Sequence, residues 1–184
     1  MTHFLSIQDL GKDDVVRLFK LTAELKAKVK SRERISPLGG RTLALIFEKP
    51  SLRTRVTFEV GMVQLGGAAV YLSAQEIGMG KRESVPDVAR NLSRWVDGIT
   101  ARVFSHQTLV ELAQHATVPV INALSDYEHP CQAMALSVWL LGYPHVYVAA
   151  AACAAVLIVW RHHANVKRLL SGTESRLGQR ASAA

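Results

Sequence analysis

"TLALIFEKPSLRTRVTFEVGMVQLGGAAVYLS", residues 42–73, places two apolar runs on either side of a segment with helical periodicity. The first run, Thr42 to Phe47, reads as a strand covered on both faces. From Leu52 to Leu65, Val56, Val60 and Val63 recur near the helical period, flanked by Phe58, Met62 and Leu65, and Gly66-Gly67 supplies a stop. "AAVYLS" follows as a second strand. A strand, a helix and a strand in so short a span form a βαβ unit, whose two strands run parallel.

The alternation continues down the chain. Ser84 can cap a helix through "VPDVARNLSRWVDG", with Pro86 in its first turn and Val88, Leu92 and Trp95 on one face, ahead of the strand "ITARVFS". A helix over "QTLVELAQHA" leads to a further strand, "VPVINAL". Upstream, residues 13–31 carry Val15, Leu18, Leu21, Leu25 and Val29 near the helical period, with acids first and lysines last, which predicts an amphipathic helix. The expected fold is α/β: a single domain with a doubly wound parallel sheet flanked by helices, followed by an apolar, alanine-rich C-terminal tail. Such sheets hold ligands beyond the carboxyl ends of their strands. Four segments fall there: "EKPSLRTR", "AQEIGMGKRES", "SHQTL" and "SDYEHPCQ".

At 184 residues, 49% hydrophobic and 20% charged, the chain has the makeup of one globular domain. Cys131 and Cys153 form no CxxC pair, so neither a disulfide framework nor a thiolate metal site is indicated, and a reducing cytoplasm is expected. The N-terminus lacks the basic and long apolar regions of an export signal. The formal charge of +7 divides unevenly, with 17 Lys+Arg against 14 Asp+Glu in residues 1–132 and 5 against 1 in residues 133–184. More than half the excess therefore lies in the tail, and a basic nucleic-acid-binding face is not expected.

The expected boundaries are a domain over residues 1–135 and a tail over 136–184, partly helical and then disordered. The apolar stretch from Val146 to Trp160 is shorter than the roughly 20 residues of a spanning helix, so a buried or surface-associated helix is expected there.

In the first of the four segments, a helix N-terminus presents unpaired N–H groups and partial positive charge to any anion placed there. Ser51 and Thr54 add hydroxyls, and Arg53 and Arg55 can add forked bonds to phosphate oxygens. Taken alone, the segment reads first as a serine cap followed by solvated arginines. Arg102 alone reads as a surface ion pair, and His129 alone as a structural histidine that could otherwise donate to a carbonyl. Gln132 can donate and accept, which suits an amide. What distinguishes these residues is their convergence on one sheet edge.

"FEKPSLRTRVTFEVGMVQLGG", "RESVPDVARNLSRWVDGITARVFSHQTL" and "NALSDYEHPCQAMA" closely resemble the carbamoyl-phosphate-binding half of the ornithine carbamoyltransferases, within the aspartate/ornithine carbamoyltransferase family. The resemblance runs from about Phe4 to Ala135, and "FEKPS" and "HPCQA" are the ornithine-type forms. It implies that Ser51, Leu52 through its backbone, Arg53 and Thr54 hold the phosphate of carbamoyl phosphate. Arg102, His129 and Gln132 then surround the carbamoyl group, with Arg102 and His129 as the catalytic pair that polarises its carbonyl. Arg55 supports the loop, and Cys131 packs. The implied reaction is direct attack of the δ-amine of L-ornithine on the carbamoyl carbon, giving L-citrulline and phosphate. No metal or organic cofactor is called for.

Several positions depart from the family pattern. Leu52 stands where threonine is common, and Gly78 where glutamine is frequent; Lys81 and Arg82 are candidate contributors or an exposed basic turn. The "HCLP"-type and "SMG"-type segments of the family's ornithine-binding domain do not occur, and the tail looks like an out-of-frame reading. A truncated chain is therefore expected: it binds carbamoyl phosphate, takes ornithine only where a second domain is supplied, and forms the family's trimer. The alternatives are a non-catalytic carbamoyl phosphate-binding or interaction module, an inactive gene fragment, and a tail-driven membrane-surface protein.

Overall fold

The computed structural model describes residues 3–135. The expectations for residues 136–184 lie outside the described residues. The elements are a 3-10 turn (Ile7–Asp9), α1 (Lys12–Lys30), β1 (Thr42–Phe47), α2 (Leu52–Gln64), β2 (Ala68–Ser73), α3 (Ala74–Ile77), α4 (Val85–Leu92), β3 (Gly98–Arg102), α5 (His106–His115) and β4 (Val120–Leu124). Among the described residues no helix is long and apolar enough to cross a membrane.

The four strands pair in parallel in the order β2-β1-β3-β4. From β1 the chain steps outward to β2, then returns across β1 to place β3 on its other side. The direction of winding thus reverses between β1 and β3, and there the loops leaving the strands part and open a crevice.

Alternate side chains of each strand point to opposite faces, and each face has its own core. Leu43, Leu45 and Phe47 meet Met62 and Phe58 of α2, whereas Ala44, Ile46, Ile99 and Ala101 meet Val88, Ala89 and Leu92 of α4 and Leu109 and Leu112 of α5. β1 is buried from Leu43 to Phe47 because it lies inside the sheet, while β2 is an edge and stays half exposed. Burying one such aliphatic side chain stabilises the fold by about 1.5–3 kcal/mol.

Two local features turn sequence into geometry here. α2 ends where Gly66 takes φ +84°, and a Cβ on Gly67 would lie 2.9 Å from the Arg41 carbonyl oxygen, so β2 can start beside β1 only with glycine at that turn. At the other edge Phe4 extends β4: its N–H donates to the Val120 carbonyl and its carbonyl accepts from Asn122 N–H, both at 2.8 Å. The buried Asn122 amide in turn donates to the Leu5 carbonyl (2.8 Å), which fixes the chain start against the loop after β4.

The structure departs from expectation at three places. α4 stops at Leu92 instead of running to Gly98, because the Ser93 hydroxyl donates to the Ala89 carbonyl (2.7 Å) and accepts from Thr117 N–H (2.9 Å), closing the helix end onto the α5–β4 loop. Trp95 consequently leaves the apolar face and is 73% exposed. β3 ends at Arg102 rather than Ser105, and α1, although helical, buries none of its residues against the described domain. The short α3 and the 3-10 turn carry too few residues to show a period.

Leu45→Ala should destabilise the protein by about 2–5 kcal/mol in urea unfolding, whereas Trp95→Ala should stay within about 0.5 kcal/mol. A large loss at Trp95 would restore the longer α4.

Candidate functional site

Three loops leave the carboxyl ends of β1, β3 and β4 and converge at the reversal point. The first carries Ser51, whose extended backbone (φ −160°, ψ 104°) makes it the N-cap of α2. Its hydroxyl accepts from Thr54 N–H (3.4 Å) and donates to Thr54 Oγ1 (3.0 Å). The cap thus satisfies one early amide and orients the Thr54 hydroxyl. The N–H groups of Leu52 and Arg53, ahead of it, have no acceptor among the described residues, as the opening of a helix requires unless something outside it binds there.

The cations of this turn divide by their contacts. Arg55 is held away, paired to Glu59 Oε1 (2.9 Å) and stacked 3.6 Å from the Tyr71 ring centroid. Arg53 is exposed and has no ion pair among the described residues. Leu52, 80% exposed, contributes only backbone to the turn.

Arg102 closes β3 and reaches across: its Nη1 donates to Thr54 Oγ1 at 3.4 Å. Among the described residues its buried Nε has no acceptor, and a polar group left unpaired in this way costs stability.

The third loop brings His129, half-buried, to the start of the helical residues 130–135. Burial and then the neighbouring Arg102 charge hold its pKa below 6.5, so the ring is neutral at neutral pH. Gln132 N–H donates to the His129 carbonyl (3.0 Å) and, at longer range, to Nδ1 (3.4 Å), a contact that favours the tautomer with the proton on Nε2. Gln132 is exposed one turn on. Cys131 is a poor nucleophile: burial pushes its thiol up to about 11, and its Sγ points at the Asn122 carbonyl (3.4 Å).

Ser51, Thr54 and Arg102 are thus joined by hydrogen bonds, and His129 lies close enough to feel the Arg102 charge. Lys81 lines an adjoining cleft of about 450 Å³ with Glu48, Gln75, Gly78, Met79 and Phe104, whereas Arg82 turns toward Glu83 (3.7 Å). A hollow of about 480 Å³ against the α2 face, walled by Leu43, Phe58 and Met62, offers apolar surface and the Arg41–Asp97 pair at its rim, but no converging donors. Among the described residues no three His, Cys, Asp or Glu side chains gather as a metal site.

Glu48 escaped the sequence reading. It accepts from Phe104 N–H through Oε2 (2.5 Å), and Lys49 lies 4.5 Å over the Phe104 ring. The one signal was an acid placed directly after a buried strand and before a cationic turn.

A family model described as "Aspartate/ornithine carbamoyltransferase, carbamoyl-P binding domain" matches residues 2–139. The ornithine carbamoyltransferase of Anoxybacillus flavithermus is 54% identical over 132 residues, covering 72% of this chain and 42% of its own length. That of Deinococcus radiodurans is 56% identical over 133 residues, covering 68% and 43%. The solved ornithine carbamoyltransferase from Pyrococcus furiosus superposes with a TM-score of 0.73 at 46% identity, covering 75% and 44%. The chain thus spans a little under half the length of the relatives it matches.

Because the folded pKa of His129 lies below its unfolded value, the folded state binds fewer protons, and this group's contribution to stability falls as pH drops below about 6.5. His129→Asn should therefore lose less stability than the parent from neutral pH to about pH 5 in urea unfolding. Parallel losses in the two proteins would contradict the neutral, half-buried ring.

Proposed function

The chain belongs to the aspartate/ornithine carbamoyltransferase family through its carbamoyl-phosphate-binding domain, and from that premise we propose that it binds carbamoyl phosphate for carbamoyl transfer to L-ornithine. The phosphate oxygens sit on the Leu52 and Arg53 amides, the Ser51 and Thr54 hydroxyls and the Arg53 guanidinium. The carbamoyl group lies toward Arg102, His129 and Gln132.

The observation that carries this reading is the pairing, among the described residues, of two unbonded amides at the α2 start with an arginine whose buried Nε has no acceptor. Both want anionic oxygen. Arg102, reaching Thr54, is suited to bridge phosphate and carbonyl, and the neutral His129 offers Nε2–H to the carbonyl oxygen. Attack by the δ-amine of ornithine then builds negative charge on that oxygen, which these donors stabilise while phosphate leaves. Loss of one such donor costs about 10²–10³ in rate where turnover occurs. The ornithine type is supported by the 50% or greater identity to proteins bearing that name.

A second reading, binding without turnover, is favoured by one observation: the family model that matches is that of the carbamoyl-phosphate-binding domain alone. Citrulline formation with saturating carbamoyl phosphate and ornithine, with and without an intact homologue, separates the two. Under both, calorimetry should show carbamoyl phosphate binding to the parent and at least about tenfold weaker binding to Arg53→Ala. No heat with the parent would remove both readings.

Self-association into a trimer, as the family resemblance implies, is supported by an uncovered stripe on α2. Leu52, Val56, Val60 and Val63 lie on one side of the helix and are 43–80% exposed. Val63→Glu should shift the sedimenting species toward monomer, and an unchanged distribution would place any interface elsewhere.

A further inference from the structure

Glu48 puts negative charge beside a site proposed for an anion, where simple Coulomb attraction disfavours it. Its contacts give another reason for an acid at that position. The Glu48 N–H donates to the Arg102 carbonyl (2.8 Å), and its Oε2 accepts from Phe104 N–H (2.5 Å). One residue thereby grips the chain on both sides of the buried Val103. The Phe104 carbonyl then accepts from Asp126 N–H (3.0 Å), which joins the loop after β4 to the same frame.

Arg102 needs such a grip. Its pairing with β1 ends at the Phe47 register position, and the β3–β4 register shifts between Ala101 and Arg102, so its backbone lies at an irregular strand end. The bond from Nη1 to Thr54 Oγ1, at 3.4 Å, is long and holds a guanidinium weakly. Orientation has to come from the backbone that carries the side chain.

We propose that Glu48 is a positioning residue of the anion site: its carboxylate, anchored on the Phe104 amide, fixes the chain leaving β3 and so aims the Arg102 guanidinium at the first turn of α2. Resting on the anion-site reading above, this assigns the acid a mechanical role that outweighs its unfavourable charge. A glutamine keeps an acceptor oxygen and drops the charge; an alanine loses both.

Glu48→Gln and Glu48→Ala should therefore part in direction. In calorimetric titration with inorganic phosphate at low salt, Glu48→Ala should bind about fivefold weaker or worse, and Glu48→Gln as tightly as the parent or more so. The Arg102 Nε–H resonance, followed by NMR without ligand, should move in Glu48→Ala and hold in Glu48→Gln, a readout that general stabilisation would not shift. Parent-like binding and an unmoved resonance in Glu48→Ala, or equal losses in both variants, would overturn the proposal. A parent that binds no phosphate would instead sink the anion-site reading, and the Arg102 resonance alone then decides whether Glu48 aims the side chain.

Discussion

The backbone amides of Leu52 and Arg53 cannot be satisfied by α2 itself, because a helix has no preceding turn to accept from its first N–H groups. Whatever surrounds that turn must supply an acceptor or leave the amides to water or a ligand. Here the sheet winds outward from β1 to β2 and then back to β3, so the loops after β1 and β3 part at that turn. The topology opens the space, the Ser51 cap fixes the direction of the amides, and the charge follows from where the flanking cations are tethered.

That tethering is selective. Arg55 is drawn off by Glu59 and Tyr71, and Lys49 lies over Phe104, while Arg53 is left at the turn and Arg102 enters from the neighbouring strand. His129 stays neutral partly because Arg102 is charged, so the pair presents one cation and one uncharged donor. Such a set suits a doubly functional ligand with an anionic end and a carbonyl end. A second full charge at His129 would bring it into conflict with Arg102 and cost stability.

Much of this was legible in the sequence. The four strands, the βαβ order, the glycine stop after α2 and the cap at Ser51 follow from periodicity and turn chemistry that depend on near neighbours. Two of the four segments placed at the strand ends carry Ser51 and His129, and Arg102 lies at the end of the strand that precedes a third. The misreadings depended on partners distant in the chain. Trp95 followed the helical period of Val88 and Leu92, yet the helix ended earlier because Ser93 found Thr117 across the α4–α5 face. The burial of the Arg102 Nε and the bond from Glu48 to Phe104 likewise arise from packing between loops some fifty residues apart and leave no local pattern. The apolar period of α1 was visible, but nothing in the sequence indicated that the described domain would leave that side uncovered.

The central claim is that an oxyanion docks on the first amides of α2 between Arg53 and Arg102. Its most direct measurement is a titration of the isotope-labelled chain with inorganic phosphate, following backbone and arginine N–H resonances by NMR. The account predicts that the Leu52 and Arg53 amides and the Arg102 Nε–H shift together with one saturating isotherm. Shifts confined to other residues, or none at those three groups at saturation, would contradict it.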